Sequence, residues 1–136
     1  MILLDTNICI GILHANPVVL SHIRSATEPL AIPGMVEGEL HYGVEKSSDP
    51  IHNRIRTENL LRNFPIYYPN SPIMRMFGKL KAEQERLGTR VDDADVIIAA
   101  TTIVLDATLA TGNIRHFARF ADLKYMKTGN ANAVRA

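Results

Sequence analysis

Apolar positions along the chain fall into two patterns, short unbroken runs and longer stretches in which they recur every three or four residues. Ile2 to Leu4 is the first run. Its lack of alternation predicts a strand buried on both faces, and Asp5-Thr6-Asn7 then offers residues that cap helices. A short helix is expected from about Ile8 to Leu13, ending near Asn16-Pro17, and a second helical pattern runs through Val18, Val19, Leu20 and Ile23. Leu30-Ala31-Ile32 is another run, stopped by Pro33-Gly34. The next helix is expected from about Val36 to Lys46, without a Ser or Thr cap. Ser47-Ser48-Asp49-Pro50 breaks the chain before helical spacing from Ile51 to Asn63, at Ile55, Leu60 and Leu61 with basic residues between, which Pro65 ends.

Ile66-Tyr67-Tyr68 reads as a brief strand. Asn70-Ser71-Pro72 is a strong helix start, because a proline in the first turn forfeits no needed N–H, and that helix is expected to reach Leu87 and stop at Gly88. Asp92 can cap the following one, in which Val96, Ile97, Ile98, Ala99, Ala100, Ile103, Val104 and Leu105 make nearly every side apolar, the mark of a central helix. Ala107 to Thr111 reads as a buried strand, Gly112-Asn113 as a turn, Arg115 to Phe120 as a short helix and Leu123 to Met126 as a last strand, with residues 130–136 a frayed tail. Short strands separated by helices favour a short central parallel sheet flanked by helices on both faces, so the fold class is α/β.

Composition sets the scale. With 136 residues, 46% of them apolar, the chain can bury one sizeable core but not two, so residues 1–136 are read as a single domain. Lys and Arg number 15 against 14 Asp and Glu, which removes any global electrostatic argument for nucleic acid or a membrane surface; affinity for RNA would have to come from a local patch. A single cysteine, Cys9, excludes an intrachain disulfide and a thiolate zinc cluster, fits a reducing compartment, and is most simply a small core residue. The amino terminus lacks the basic region of a signal peptide, and no apolar run approaches the ~20 residues of a membrane span, so a soluble cytoplasmic protein is expected. His14, His22, His41, His52 and His116 never adopt the i, i+4 spacing of a helical zinc site.

Candidate chemistry rests on the acids. Asp5 stands at the carboxyl end of the first strand, where open parallel sheets place their ligands, although on its own it is more simply a helix cap. Glu39 falls in the opening turns of the helix after the second run; it lies about 200° around that helix from Glu37, so the two cannot share one site. Each glutamate taken singly is a solvated residue compensating a helix dipole. Asp92, Asp93 and Asp95 crowd one helix start. One cap uses one carboxylate, and further acids beside an apolar helix carry repulsion and desolvation unless a cation offsets them. Three carboxylates at three strand-to-helix junctions would converge on one edge of the sheet and need a counterion. Mg²⁺ and Mn²⁺ prefer oxygen ligands, accept water and phosphate oxygens in the remaining positions, and support phosphodiester hydrolysis. Residue types and spacing lead to an acidic, metal-binding α/β site and no further.

Four segments add a resemblance: Leu4-Asp5-Thr6-Asn7-Ile8-Cys9-Ile10, Gly38-Glu39-Leu40-His41-Tyr42-Gly43-Val44-Glu45-Lys46-Ser47, Asp92-Asp93-Ala94-Asp95-Val96-Ile97-Ile98-Ala99-Ala100 and Ala107-Thr108-Leu109-Ala110-Thr111-Gly112-Asn113. In order and spacing the chain resembles the VapC toxins, the PIN-domain members of bacterial and archaeal toxin–antitoxin pairs, over nearly its whole length. The resemblance implies a PIN-domain fold and endonucleolytic cleavage of RNA, possible targets including transfer RNA, by metal-activated water with Mg²⁺ or Mn²⁺ as cofactor. It makes Asp5, Glu39 and Asp95 the metal ligands, with Thr6 and Asn7 orienting Asp5 and Thr111 supporting the site through its hydroxyl. Where many PIN domains carry a fourth acid this chain has Asn113, whose amide can ligate or orient a water without charge, leaving Asp92 or substrate oxygens to compensate for a second ion. The family's usual Ser or Thr cap before the glutamate is replaced by Val36. Arg86, Arg90 and Arg115, near the junctions that carry Asp95 and Asn113, are candidates for holding phosphates. A homodimer and a VapB-type antitoxin that occupies the active-site groove are further implications.

Three other readings compete. A phosphatase of the haloacid-dehalogenase type needs a second aspartate where Asn7 stands, and a response-regulator receiver needs paired early acids. The third is a PIN-like fold without catalysis that binds RNA or a partner, a reading that Asn113 encourages.

Overall fold

Three apolar residues at the start of the chain, Ile2–Leu4, form β1, and all three are buried. In the computed structural model, which describes residues 1–128, β1 is the central strand of the sheet. The frayed tail expected at 130–136 lies outside the described residues. On one side β1 pairs with β2 (Leu30–Pro33), which in turn pairs with β3 (Ile66–Tyr67); on the other side lie β4 (Thr108–Thr111) and then β5 (Tyr125–Lys127). All four pairings are parallel, with Leu3 opposite Ala31 and Leu109, so the order is β3-β2-β1-β4-β5. The central strands are buried on both faces because helices flank the sheet, which is why β1 and β2 read as unbroken apolar runs.

The helices are α1 (Thr6–Leu13), α2 (Pro17–Ser25), α3 (Gly34–Glu45), α4 (Pro50–Leu61), α5 (Ser71–Arg86), α6 (Asp93–Val104) and the single turn α7 (Ile114–Phe117). Their starts follow local chemistry. Asn16, Asp49, Asn70 and Asp92 cap α2, α4, α5 and α6 through side-chain oxygens, and a proline stands in the first turn of the first three of these. Gly88 terminates α5 with a φ of 73°, the left-handed conformation that glycine adopts without a Cβ penalty. Side chains from both faces of the sheet meet in one core, in which Leu3, Leu4, Ile8, Ile32, Val36, Ile98, Leu109 and Phe117 have no exposed surface. Thr101 and Thr102 enter that core on α6 because their hydroxyls donate to the Ile97 and Ile98 carbonyls, both at 2.8 Å. Cys9 is buried there too, and burial pushes its thiol up to about 12, which leaves it unreactive. Among the described residues no helix is long and apolar enough to cross a membrane.

Several boundaries differ from the sequence pattern. α1 starts at Thr6 because Asp5 itself is the cap, its carboxylate accepting the Thr6 N–H. α3 starts at Gly34, directly out of β2, with Pro33 in the capping position and no side-chain cap; Val36 is fully buried in the first turn and is therefore not the capping position. α7 ends at Phe117, and the last strand is shifted to Tyr125–Lys127. Leu123 is core filling ahead of that strand, and β5 is an edge strand whose own side chains are exposed.

Gly34 has a packing role. A Cβ there would come within 2.7 Å of the Tyr68 ring and 3.1 Å of the Tyr68 Cα, so Gly34→Ala must displace backbone after β3 or the start of α3. This substitution is expected to destabilise the protein by about 1–3 kcal/mol, measurable as a lower urea midpoint, whereas Gly43→Ala, with open space at the Cβ, should cost nothing comparable.

Candidate active site

Asp5 leaves the end of the central strand at the point where the chain turns into α1, between neighbours β2 and β4 whose connections depart in opposite directions. Ligands of open parallel sheets bind at such a reversal. The carboxylate is only 4% exposed and is held from two sides. Its Oδ1 accepts the Thr6 N–H at 2.8 Å, while Oδ2 accepts the Thr111 hydroxyl at 2.6 Å and a longer Asn7 Nδ2 contact at 3.4 Å. Thr111 closes β4, and its Oγ1 in turn accepts the Asn113 N–H at 2.9 Å; Asn7 Oδ1 accepts the Gly112 N–H at 3.0 Å. The loop after β4 is thus tied to the first turn of α1.

Glu39 comes from α3. Its Oε1 accepts the Thr6 hydroxyl at 2.6 Å, so Thr6 links the first two acids, using its N–H for one and its hydroxyl for the other. Glu37 turns away and accepts from the Tyr68 hydroxyl at 2.7 Å, the outcome required by its angular separation from Glu39. The three aspartates at the start of α6 divide their work in the same manner. Asp92 accepts the Ala94 N–H at 3.4 Å as the cap, Asp93 pairs with Lys81 at 3.0 Å across the α5–α6 surface, and Asp95 faces the His116 Nδ1 at 3.2 Å. Asp95 does not follow a strand, contrary to the expectation of three strand-to-helix junctions: α6 follows α5. It still begins at the carboxyl edge, because a helix that feeds a parallel strand runs back against the strand direction.

Each of the three acids affects the others. Burial pushes Asp5 up to about 6, against the lowering hydrogen bonds from Thr111 and Thr6, and the Asp95 and Glu39 charges push it further. Glu39 is raised by burial, opposed by the Thr6 hydroxyl and reinforced by Asp95 and Asp92. Asp95 is raised by burial, with the His116 hydrogen bond pulling it down and Asp92 pushing it up. Three elements therefore bring three carboxylates within electrical reach of one another in a partly dehydrated place. Among the described residues no three His, Cys, Asp or Glu side chains stand close enough to enclose an ion unaided. The donor set fits a hard divalent cation that keeps water or substrate oxygens in much of its shell, as Mg²⁺ commonly does.

Asn113 sits at the start of α7 without a side-chain capping bond. Arg86 ends α5, Arg115 is exposed on α7, and Arg90 contributes its carbonyl to Arg119 Nη1 at 2.9 Å; among the described residues none of the three pairs with the carboxylates. The guanidinium whose charge Asp95 feels belongs to Arg119. Arg119 and His116 escaped sequence reasoning, since His116 lies 21 positions from Asp95 and only the tertiary fold joins them.

Comparisons with known proteins bear on the family and the fold. Residues 2–123 match the PIN domain. Ribonuclease VapC2 of Rickettsia felis is 31% identical over 124 residues, covering 89% of this chain and 92% of that protein. Ribonuclease VapC19 of Mycobacterium tuberculosis is 33% identical over 127 residues, covering 91% and 98%. The crystal structure of VapBC2 from Rickettsia felis, bound to a DNA fragment from its promoter, contains a chain that superposes with a TM-score of 0.86 at 29% identity, covering 93% of this chain and 98% of that one.

Proposed function

This chain belongs to the PIN-domain family, and from that membership and its acidic centre we propose that it is a metal-dependent endoribonuclease acting as the toxin of a toxin–antitoxin pair in the cytoplasm. The observation that carries the reading is the meeting of Asp5, Glu39 and Asp95, each raised from its ordinary value chiefly by burial. Those three would hold Mg²⁺ or Mn²⁺. A divalent ion bound there supplies positive charge to the scissile phosphate and makes water a better nucleophile at neutral pH. The protein's own groups do the rest. Thr6 and Thr111 fix the Asp5 and Glu39 carboxylates before substrate arrives, so little reorganisation is left for the reaction. Arg119 supplies a cation beside Asp95, where an RNA phosphate would sit, and Asn113 offers a neutral amide in place of a fourth acid.

Inhibition has a surface at hand. A groove of about 270 Å³ beside Glu39 is lined by Ile10, Leu13, Leu40 and Val44, with Arg56 at its edge. A VapB-type antitoxin would lay an apolar segment there and direct a basic side chain to the carboxylates. Support comes from the similar solved VapBC complex.

The test is cleavage of a panel of structured RNAs, transfer RNA among them, by purified protein with Mn²⁺ or Mg²⁺ and with a chelator. Metal-dependent cuts, together with growth arrest on expression, are the expected result; intact RNA under every metal would overturn the reading. Thr111→Val, which keeps the shape and removes the hydroxyl, should slow cleavage by about 10–100-fold with the far-ultraviolet spectrum unchanged.

A further inference from the structure

The segment from Thr111 to His116 touches the acidic centre at both ends. Thr111 donates to Asp5 Oδ2 at 2.6 Å, and five residues later the His116 ring lies 3.2 Å from Asp95 Oδ2. What lies between is fixed. Gly112 and Asn113 are anchored by Asn7 and by Thr111 itself, and Phe117, with no exposed surface, packs on Phe120 and locks the single turn of α7 from beneath. The His116 ring is therefore carried on a rigid mount, with its side chain 49% exposed and Asp95 only 17% exposed beside it. An ionised carboxylate can only accept, so the ring nitrogen facing it must carry the hydrogen. Both the neutral Nδ1–H tautomer and the imidazolium meet that condition.

We propose that His116 is a positioning residue for Asp95: it occupies Oδ2 through Nδ1–H and leaves Oδ1 as the oxygen that would ligate a divalent cation. Among the described residues Oδ1 has no hydrogen-bond partner. The inference rests on the ribonuclease reading above. It also gives α7 a purpose in this chain, where Asn113 supplies no charge: the turn contributes a donor to an existing acid in place of another acid. Metal-binding sites elsewhere commonly hold their ligands through such partners.

The experiment is Mn²⁺ titration of the full chain, followed by the electron paramagnetic resonance signal of the free ion, for wild type, His116→Ala, His116→Gln and His116→Asn. An asparagine amide can place an N–H near the Nδ1 position, and the longer glutamine reaches toward the Nε2 position instead. Affinity should fall by about 10–100-fold in the alanine and glutamine variants and return to within a few-fold of wild type in the asparagine variant. RNA cleavage should follow the same order. Equal affinities in all four proteins would overturn the proposal, as would an asparagine variant no better than alanine. Strong ¹⁴N coupling in bound Mn²⁺ would make His116 a ligand and overturn it too. These outcomes leave the ribonuclease reading standing if wild type still binds Mn²⁺ and cuts RNA; wild-type protein that does neither removes both.

Discussion

Replacing Asp5 with asparagine should lower RNA cleavage by at least ~100-fold while the protein stays folded. The amide oxygen can keep the Thr6 N–H, and the side chain has nearly the same shape, so the fold has no reason to change. What disappears is the negative charge at the end of the central strand. The same loss is expected for Asp95→Asn. Two substitutions act as internal controls, because they touch acids that the fold directs elsewhere: Glu37→Gln, whose partner is Tyr68, and Asp93→Asn, whose partner is Lys81. Both should retain cleavage within about twofold, since exposed pairs of this kind contribute little. A fluorescence-quenched RNA substrate in saturating Mn²⁺ measures all four. Full activity in Asp95→Asn would break the assignment of the acids.

The metal-free protein should gain stability from that same inactivating change. Folded Asp5 titrates at about 6 against an ordinary 3.8, so between these values the folded state binds more protons than the unfolded one. Stability from this group is then fully present below the unfolded value and is lost as pH rises through about 6, amounting to about 3 kcal/mol at neutral pH. Glu39 and Asp95 are shifted in the same direction. Asp5→Asn removes the charge, although Thr111 loses its best acceptor, which offsets about 1 kcal/mol of the gain. The variant in a chelating buffer at pH 7.5 should therefore melt roughly 5–8 °C above wild type, and the gap should close near pH 4. Added Mn²⁺ should narrow it from the other side, by stabilising wild type alone. A variant that melts below wild type at pH 7.5 would mean that Asp5 is not held at a disadvantage.

Much of this architecture could be read along the chain because the signals were local. Ile2–Leu4 and Leu30-Ala31-Ile32 are apolar without alternation, as strands covered on both faces must be, and Pro72, Gly88 and Asp92 act on their immediate neighbours. The acids were less legible. Nothing local distinguishes Asp95 from Asp93 as the inward one; family resemblance made that choice, and the fold explains it by giving Asp93 to Lys81. Thr6 was expected to serve Asp5, yet its hydroxyl goes to Glu39, 33 residues away. His116 and Arg119 could not be found at all, since a lone histidine and a surface arginine acquire meaning only once α7 is folded beside α6. The start of α3 was misplaced because Pro33-Gly34 reads as a break when it is a strand passing straight into a helix.

The bond between Asp5 and Thr111 joins residues 106 positions apart, and the strands that carry them are neighbours at the middle of the sheet. During synthesis Asp5 waits for 106 further residues before its partner appears. The acidic centre therefore cannot close until β4 is available to pair with β1, and it forms after the local contacts of the helices between them.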